Sequence, residues 1–217
     1  MNLNDLTNYI ESVVYDSTFT SAAINTLINE AYLAVATGVK LPDRYDLTPP
    51  LPDLYTTGTV STGSSGVASL PVDYNRDVVQ VTNSAGSEIP IFASFRQFNQ
   101  KYPVVDTSSV HACSVNGSNL HYRGEPTTPE NLTVAYYQTP TPLVNATDEP
   151  TAIPAVLHRQ LIVGYVCKTI YDQIELGLSG PKVDTANYTR MFNNGLVQLV
   201  ELIPNDNLPD YHDYEDL

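Results

Sequence analysis

Few side chains in this sequence are of types that do chemistry, and their spacing limits what each can do. The four histidines stand far apart, at 111, 121, 158 and 212, as do the two cysteines, Cys113 and Cys167. No His/Cys pair has the close spacing of a metal site. His111 and His121 fall on two strand patterns of one expected hairpin, where lone histidines usually face solvent. His158, beside Arg159 near the start of a helical pattern, has the type of a general base. Hydrogen bonding at a surface or an interface accounts for it more simply, so His158 and Arg159 are read as contact residues. Asp148-Glu149 form adjacent carboxylates, but acids ahead of a helix are explained by its positive N-terminal end. Gly63-Ser64-Ser65-Gly66 lacks the Lys-Ser/Thr of a phosphate-binding loop and reads as a turn. No Gly-x-Ser-x-Gly elbow occurs. The sequence therefore nominates no catalytic residue, no metal ligand and no cofactor, and an enzyme is not the expected class.

Those residues must be carried by elements, and one stretch organises the rest. From Asp148 to Gly177, DEPTAIPAVLHRQLIVGYVCKTIYDQIELG holds the longest helical pattern in the chain. Pro154 suits the first helical position, where a missing N–H costs nothing. Val156, Val163, Cys167, Ile170 and Ile174 share one face, Ile162 and Val166 widen it, and Leu161, Gly164 and Tyr165 make the middle apolar nearly all round. Gly177 ends the pattern. The spacing predicts one continuous helix of about 30 Å, the spine of a helical bundle.

Its partners come from both chain ends. Residues 1–38 read as two helices, the first with a stripe of Leu6, Tyr9, Ile10, Val13 and Val14. The second is capped by Thr20 or Ser21, faced by Ile24, Leu27, Ile28, Ala31 and Val35, and closed by Gly38. A fourth helix runs roughly from Asp184, its expected cap, to Ile203, with Met191, Phe192, Leu196, Leu199, Val200 and Ile203 inward. Between the two helical parts, YTTGTVST, GVASLP, DVVQVT, EIPIF, HACSV, NLHYR and LTVAYY read as short strands. GSSG, SAG and Asn116-Gly117 are their turns, the last with the positive φ values of a type I′ hairpin. Pro90 belongs at an edge or a bulge. Phe95 to Tyr102 read as a helical turn or a loop.

The expected fold class is thus α+β: a four-helix bundle formed from both chain ends, with an inserted all-β sandwich- or barrel-like module and an extended C-terminal tail. Residues 1–40 and 146–204 make the discontinuous bundle. Residues 41–54 are a proline-rich linker, 55–145 the β module and 205–217 an acidic tail. That tail holds five acids and no Lys or Arg. Leu208, Tyr211, Tyr214 and Leu217 recur in it at threes, as apolar anchors for a partner.

Composition narrows the class further. Hydrophobic residues make up 42% of 217, enough for real cores. No apolar run is long enough to span a membrane, and the N-terminus has no secretory pattern. Both cysteines are expected as free thiols. The net charge is −14, with no basic cluster to neutralise phosphates.

The order of these parts resembles the head-to-tail adaptor (connector) family of tailed bacteriophages. INEAYLAVATG is similar to that family's second helix. VASLPVDYNRDVVQVTNSAGSEIPI is similar to its Leu-Pro, Asp-aromatic, strand and Gly-turn segment. VNGSNLHYRGEP and LTVAYYQTPTPL are similar to its hairpin and closing strand. DEPTAIPAVLHRQLIVGYVCKTIYDQ resembles the start of its third helix, with Asp148, Pro150, Ile153-Pro154 and His158 in place. The resemblance covers nearly all of residues 1–203. It implies a structural virion protein at the head–tail interface, assembled in the host cytoplasm. It implies a homo-oligomeric ring of about twelve copies, with portal above, tail or nozzle protein below, and DNA passing through without specific binding. No membrane partner and no cofactor are implied. The alternative is a binding module whose β insert takes a ligand such as a glycan, which the 15 tyrosines leave open; a hydrolase with an unrecognised site is a third reading.

The charge balance generates a direct expectation. Isolated protein should show no detectable binding to duplex DNA in a gel-shift assay near physiological salt. Tight, salt-sensitive binding would contradict the composition argument.

Overall fold

The computed structural model describes residues 1–38, 50–103, 108–124, 126, 128–176 and 180–202. Most of the proline-rich linker, Gly177, Ile203 and the whole tail, with Leu208, Tyr211, Tyr214 and Leu217, lie outside them. The described residues form a mixed α+β structure of five α-helices and two β-sheets. Two compact units are distinguished. One joins Met1–Leu54 to the described residues from 140 to 202, and the other is Tyr55–Thr139.

In the helical unit, α1 is Leu3–Val14, α2 Ser21–Thr37, α4 Gly164–Ile174 and α5 Val183–Leu202. Asn2 caps α1, accepting from Asp5 N at 2.8 Å, while Asp5 reaches back to Asn2 N at 3.3 Å. Thr20 caps α2, as its position predicts. Leu6, Ile10, Ile24, Ile28, Leu161, Val166 and Ile170 are wholly or almost wholly buried. Tyr32 and Ala36 join the α2 face, which the stripe of threes and fours did not single out.

The spine differs from the single helix expected. Pro154 has φ −52° and ψ 129°, so it stands before the helix and not in its first turn. A 3-10 turn at Ala155–Leu157 follows, then a π-helical segment at Arg159–Val163, and only then α4. Gly164 N–H donates back to Arg159 O, five residues away. The tight turn and the widened one change the angle per residue. Val156 is thereby taken out of the stripe and is 78% exposed, while Val163, Cys167 and Ile170 stay buried and Ile174 is partly exposed.

The widened segment meets α5 at two glycines. A Cβ on Gly164 would lie 3.2 Å from the backbone of Phe192, and one on Gly195 would lie 2.9 Å from Gln160 Cβ and 3.0 Å from Leu161 Cδ2. Backbone approach this close leaves no room for a side chain. Asp184 is not the cap of α5. Glu175, at the end of α4, accepts from Asp184 N (3.1 Å), Thr185 N (3.2 Å) and Thr185 Oγ1 (2.6 Å). An acid from the preceding helix thus fills the capping role. The Thr185 hydroxyl, ahead of the backbone donors, holds its carboxyl below the usual range.

In the β unit, all seven strand readings find strands: β1 Tyr55–Ser61, β2 Val67–Ser69, β3 Tyr74–Thr82, β4 Ile91–Phe92, β5 Ala112–Asn116, β6 Asn119–Arg123 and β7 Asn131–Gln138. They make an antiparallel sheet β1-β7-β3 and a sheet β2-β6-β5-β4 in which β4 runs parallel to β5. Neither closes into a barrel. Leu70, Val81, Leu120, Tyr122, Leu132 and Val134 from the two sheets share one buried cluster. The Tyr122 hydroxyl donates to Gly63 O (2.8 Å) and accepts from Gly63 N (2.6 Å), which pins the GSSG turn. Pro90 precedes the edge strand β4, as an edge position requires. The hairpin turn is displaced by one residue from the reading Asn116-Gly117. Asn116 pairs with Asn119, and Gly117, at φ +61°, is the first loop residue. Only Gly117 has positive φ, the sign pattern of a type II′ turn. A short helix α3, Phe95–Lys101, capped by Ser94, resolves the turn-or-loop reading.

Two substitutions test the helical core. Ile170→Asp buries an unpaired carboxylate and should cost more than about 4 kcal/mol in denaturant unfolding. Gly195→Ala should cost about 1–3 kcal/mol through overpacking. A wild-type midpoint for either would refute this packing.

Candidate functional site

The histidine nominated from sequence lies at the join between α1 and the segment before α4. His158 is 2% exposed, so of the two places expected for its hydrogen bonding, surface or interface, it does not occupy the free surface. Its Nε2 is 2.9 Å from Ile153 O, to which it donates, leaving Nδ1 to accept from Met1 N at 3.1 Å. This arrangement needs the neutral ring. Burial, the largest influence, pushes its pKa below the ordinary imidazole value; the Ile153 carbonyl opposes that, the Met1 amino group adds to it, and Glu149 opposes it more weakly. A buried imidazole with both nitrogens occupied is a clamp and not a base.

Three further contacts continue the join. Leu3 N donates to Asp148 O (2.8 Å) and Asn4 N to Ala146 O (3.0 Å). Arg159, which is exposed, sets its guanidinium 4.8 Å from the centre of the Tyr9 ring and donates to the Tyr9 hydroxyl. Asp148 does not serve a helix N-terminus as expected. Its carboxylate accepts from Asn145 N (2.7 Å) and Val144 N (2.8 Å) and organises its own loop. Those backbone donors lower its pKa, Asn145 the more strongly. The structure thus brings His158 and Arg159 to one join, while the four tail anchors lie outside the described residues.

Other reactive types are held apart or inert. Cys113 and Cys167 are free and buried, and burial pushes both thiols up to about 12. Among the described residues no group of three or more His, Cys, Asp or Glu is placed to hold a metal ion. No described helix is long and apolar enough to cross a membrane.

A second surface was missed from sequence. Helix α3 lies on the outer face of the four-stranded sheet, with Phe98 fully buried beneath it. The Phe95 ring meets His121 at 4.5 Å, and Tyr102 meets Phe92 at 5.7 Å and His111 at 5.4 Å. Arg123 lies over Phe98 at 4.6 Å and donates to Tyr102 O, Tyr122 O and Asn99 Oδ1. The signal was present as FASFRQFNQKY, aromatics at helical spacing interleaved with Arg96 and Lys101.

Fold and site together define a mixed α+β protein whose conspicuous groups clamp segments and present surfaces. The family model for SU10 adaptor proteins matches residues 1–210, and the chain belongs to that family, one of bacteriophage head-to-tail adaptors. No curated protein matches it. Membership makes it an adaptor that joins other phage components, a structural role.

The neutral clamp predicts a pH dependence. Because the folded pKa of His158 is depressed, its contribution is complete above the ordinary imidazole pKa and is lost as pH falls through that value towards the folded one. Wild-type melting temperature should drop from about pH 8 to about pH 5, and His158→Gln should flatten that slope. An unchanged slope would show that protonation elsewhere governs it.

Proposed function

We propose that this chain is the ring component that seats between portal and tail, with DNA passing through its centre. About twelve copies would close the ring. In this reading both chain ends make a four-helix bundle, and the β module extends each subunit's contact surface. The observation that carries the reading is the family match across residues 1–210. A net charge of −14 suits a lumen that the duplex crosses without sticking.

The tail, residues 205–217, is the segment that leaves its own subunit and docks elsewhere in the assembly. Its five acids are repelled by an acidic body, and Leu208, Tyr211, Tyr214 and Leu217 offer anchors. Arg159 offers an exposed cation beside the join, and His158 holds that join from within.

Electron microscopy of purified protein with and without its portal tests the placement. Rings that cap the portal are expected, and monomers with no portal association would overturn it. Truncation after Ile203 should preserve helical circular dichroism and melting temperature yet abolish stable rings and portal attachment. Unchanged assembly would remove the tail from the interface.

A further inference from the structure

The outer face of the four-stranded sheet is chemically unlike the rest of the chain. Of ten Lys and Arg, three fall there: Arg96, Lys101 and Arg123. Residues 89–124 hold Arg96, Lys101 and Arg123 against a single acid, Asp106, which lies outside the described residues. None of the three cations pairs with a described carboxylate; the two ion pairs among the described residues are Arg76–Asp77 and Lys182–Asp172. Arg96 and Lys101 are exposed, and Phe95 and Tyr102 are half-buried. Lys101 Nζ lies 5.4 Å from the Phe92 ring centre and 6.0 Å from that of Tyr102. The face therefore combines positive charge with aromatic edges, within a protein of net charge −14.

We propose that this face is the receptor for the acidic C-terminal segment, residues 205–217, of a neighbouring copy. The inference rests on the tail-docking reading above and names the surface that receives it. Charge complementarity is the first argument. The segment carries Asp206, Asp210, Asp213, Glu215 and Asp216 and no Lys or Arg, so it opposes this face in sign. Aromatic matching is the second, because Tyr211 and Tyr214 can set their rings against Phe95 and Tyr102 while their neighbours meet Arg96 and Lys101. Length is the third. Thirteen residues span about 45 Å when extended, which reaches an adjacent subunit. Acids at Asp210 and Asp213 alternate with the tyrosines, so one extended strand presents both features.

The test uses four proteins: the full chain, the chain ending at Ile203, and each of these with Arg96→Glu and Lys101→Glu. Both reversed side chains are exposed, and circular dichroism should show that the fold is kept. Arg123 is left alone because its guanidinium holds three internal acceptors. A fluorescent peptide of residues 205–217 should bind the truncated chain in an anisotropy titration, more weakly as salt rises. The charge reversal, made in the truncated chain, should weaken that binding by about tenfold or more. Equal binding to the reversed face, or none to the original one, overturns the proposal.

A mixing experiment then decides whether docking runs between copies. The truncated chain keeps the face without the tail, and the reversed full chain keeps the tail without the face. Light scattering should show that the two associate when mixed, although neither does alone. Peptide binding without such complementation means that the tail docks on its own chain, which overturns docking between copies. Failure here with intact rings and portal capping leaves the ring reading standing. Normal assembly by the truncated chain removes the tail reading itself.

Discussion

Two backbone hydrogen bonds, Leu3 N to Asp148 O and Asn4 N to Ala146 O, close the helical unit across the whole length of the β region. The first N–H groups of any helix lack partners within it, and leaving them buried and unpaired is costly. Here carbonyls some 145 residues away supply them, at a separation that only the tertiary fold can arrange. His158 adds a neutral ring between Met1 N and Ile153 O, and Arg159 adds a cation against Tyr9. The start of α1 and the start of the spine are consequently one object. Weakening either end loosens the other, so this join behaves as a unit, and its members should not be treated as additive.

The spine is built to pass close to α5. Its π-helical segment, Arg159–Val163, widens one turn where Gly195 of α5 comes nearest, and Gly164 does the same for the backbone of Phe192. Dispersion and hydrophobic contact fall off steeply with distance, so two glycines at a crossing allow flanking Leu161, Leu196 and Leu199 to seal completely. The aromatic pair Tyr165–Phe192, with Lys168 Nζ 4.2 Å from the Phe192 ring centre, covers the edge of that contact. Lys168 is half-buried there, and that burial lowers its pKa. Glu175 then starts α5 by accepting its first N–H groups, so the two helices are joined by side chain as well as by packing.

Charge is distributed with a purpose that a summed value hides. A strongly acidic chain repels nucleic acid and repels its own acidic extensions. Against that background, the α3 face carries Arg96, Lys101 and Arg123, with Lys101 beside the Phe92 ring and Arg123 over that of Phe98. An adaptor works through contacts with other phage components, and charge complementarity is a general physical means of selecting among such contacts.

The sequence by itself determined the α+β class, the seven strand positions, the two N-terminal helices and the family. The elements rest on short-range physics, namely period two in LTVAYY, period three to four in INEAYLAV, Thr20 as a cap and glycines at turns, and the family rests on the resemblance in the order of its motifs. The tertiary structure alone decided what depends on distant partners. The spine broke into 3-10, π and α turns, because Pro154 and the crossing with α5 set its angle per residue, and Val156 moved to solvent. His158 became a buried clamp, because its partners come from Met1 and Ile153 and not from its own helix. Glu175 took the cap expected of Asp184, because the helix start lies within its reach. The hairpin turn shifted from Asn116-Gly117 to Gly117-Ser118, because the register of β5 on β6 fixes which residues are left to turn. Local pattern says which residues can form an element; only packing against remote chain says where that element begins and which side chains it hides.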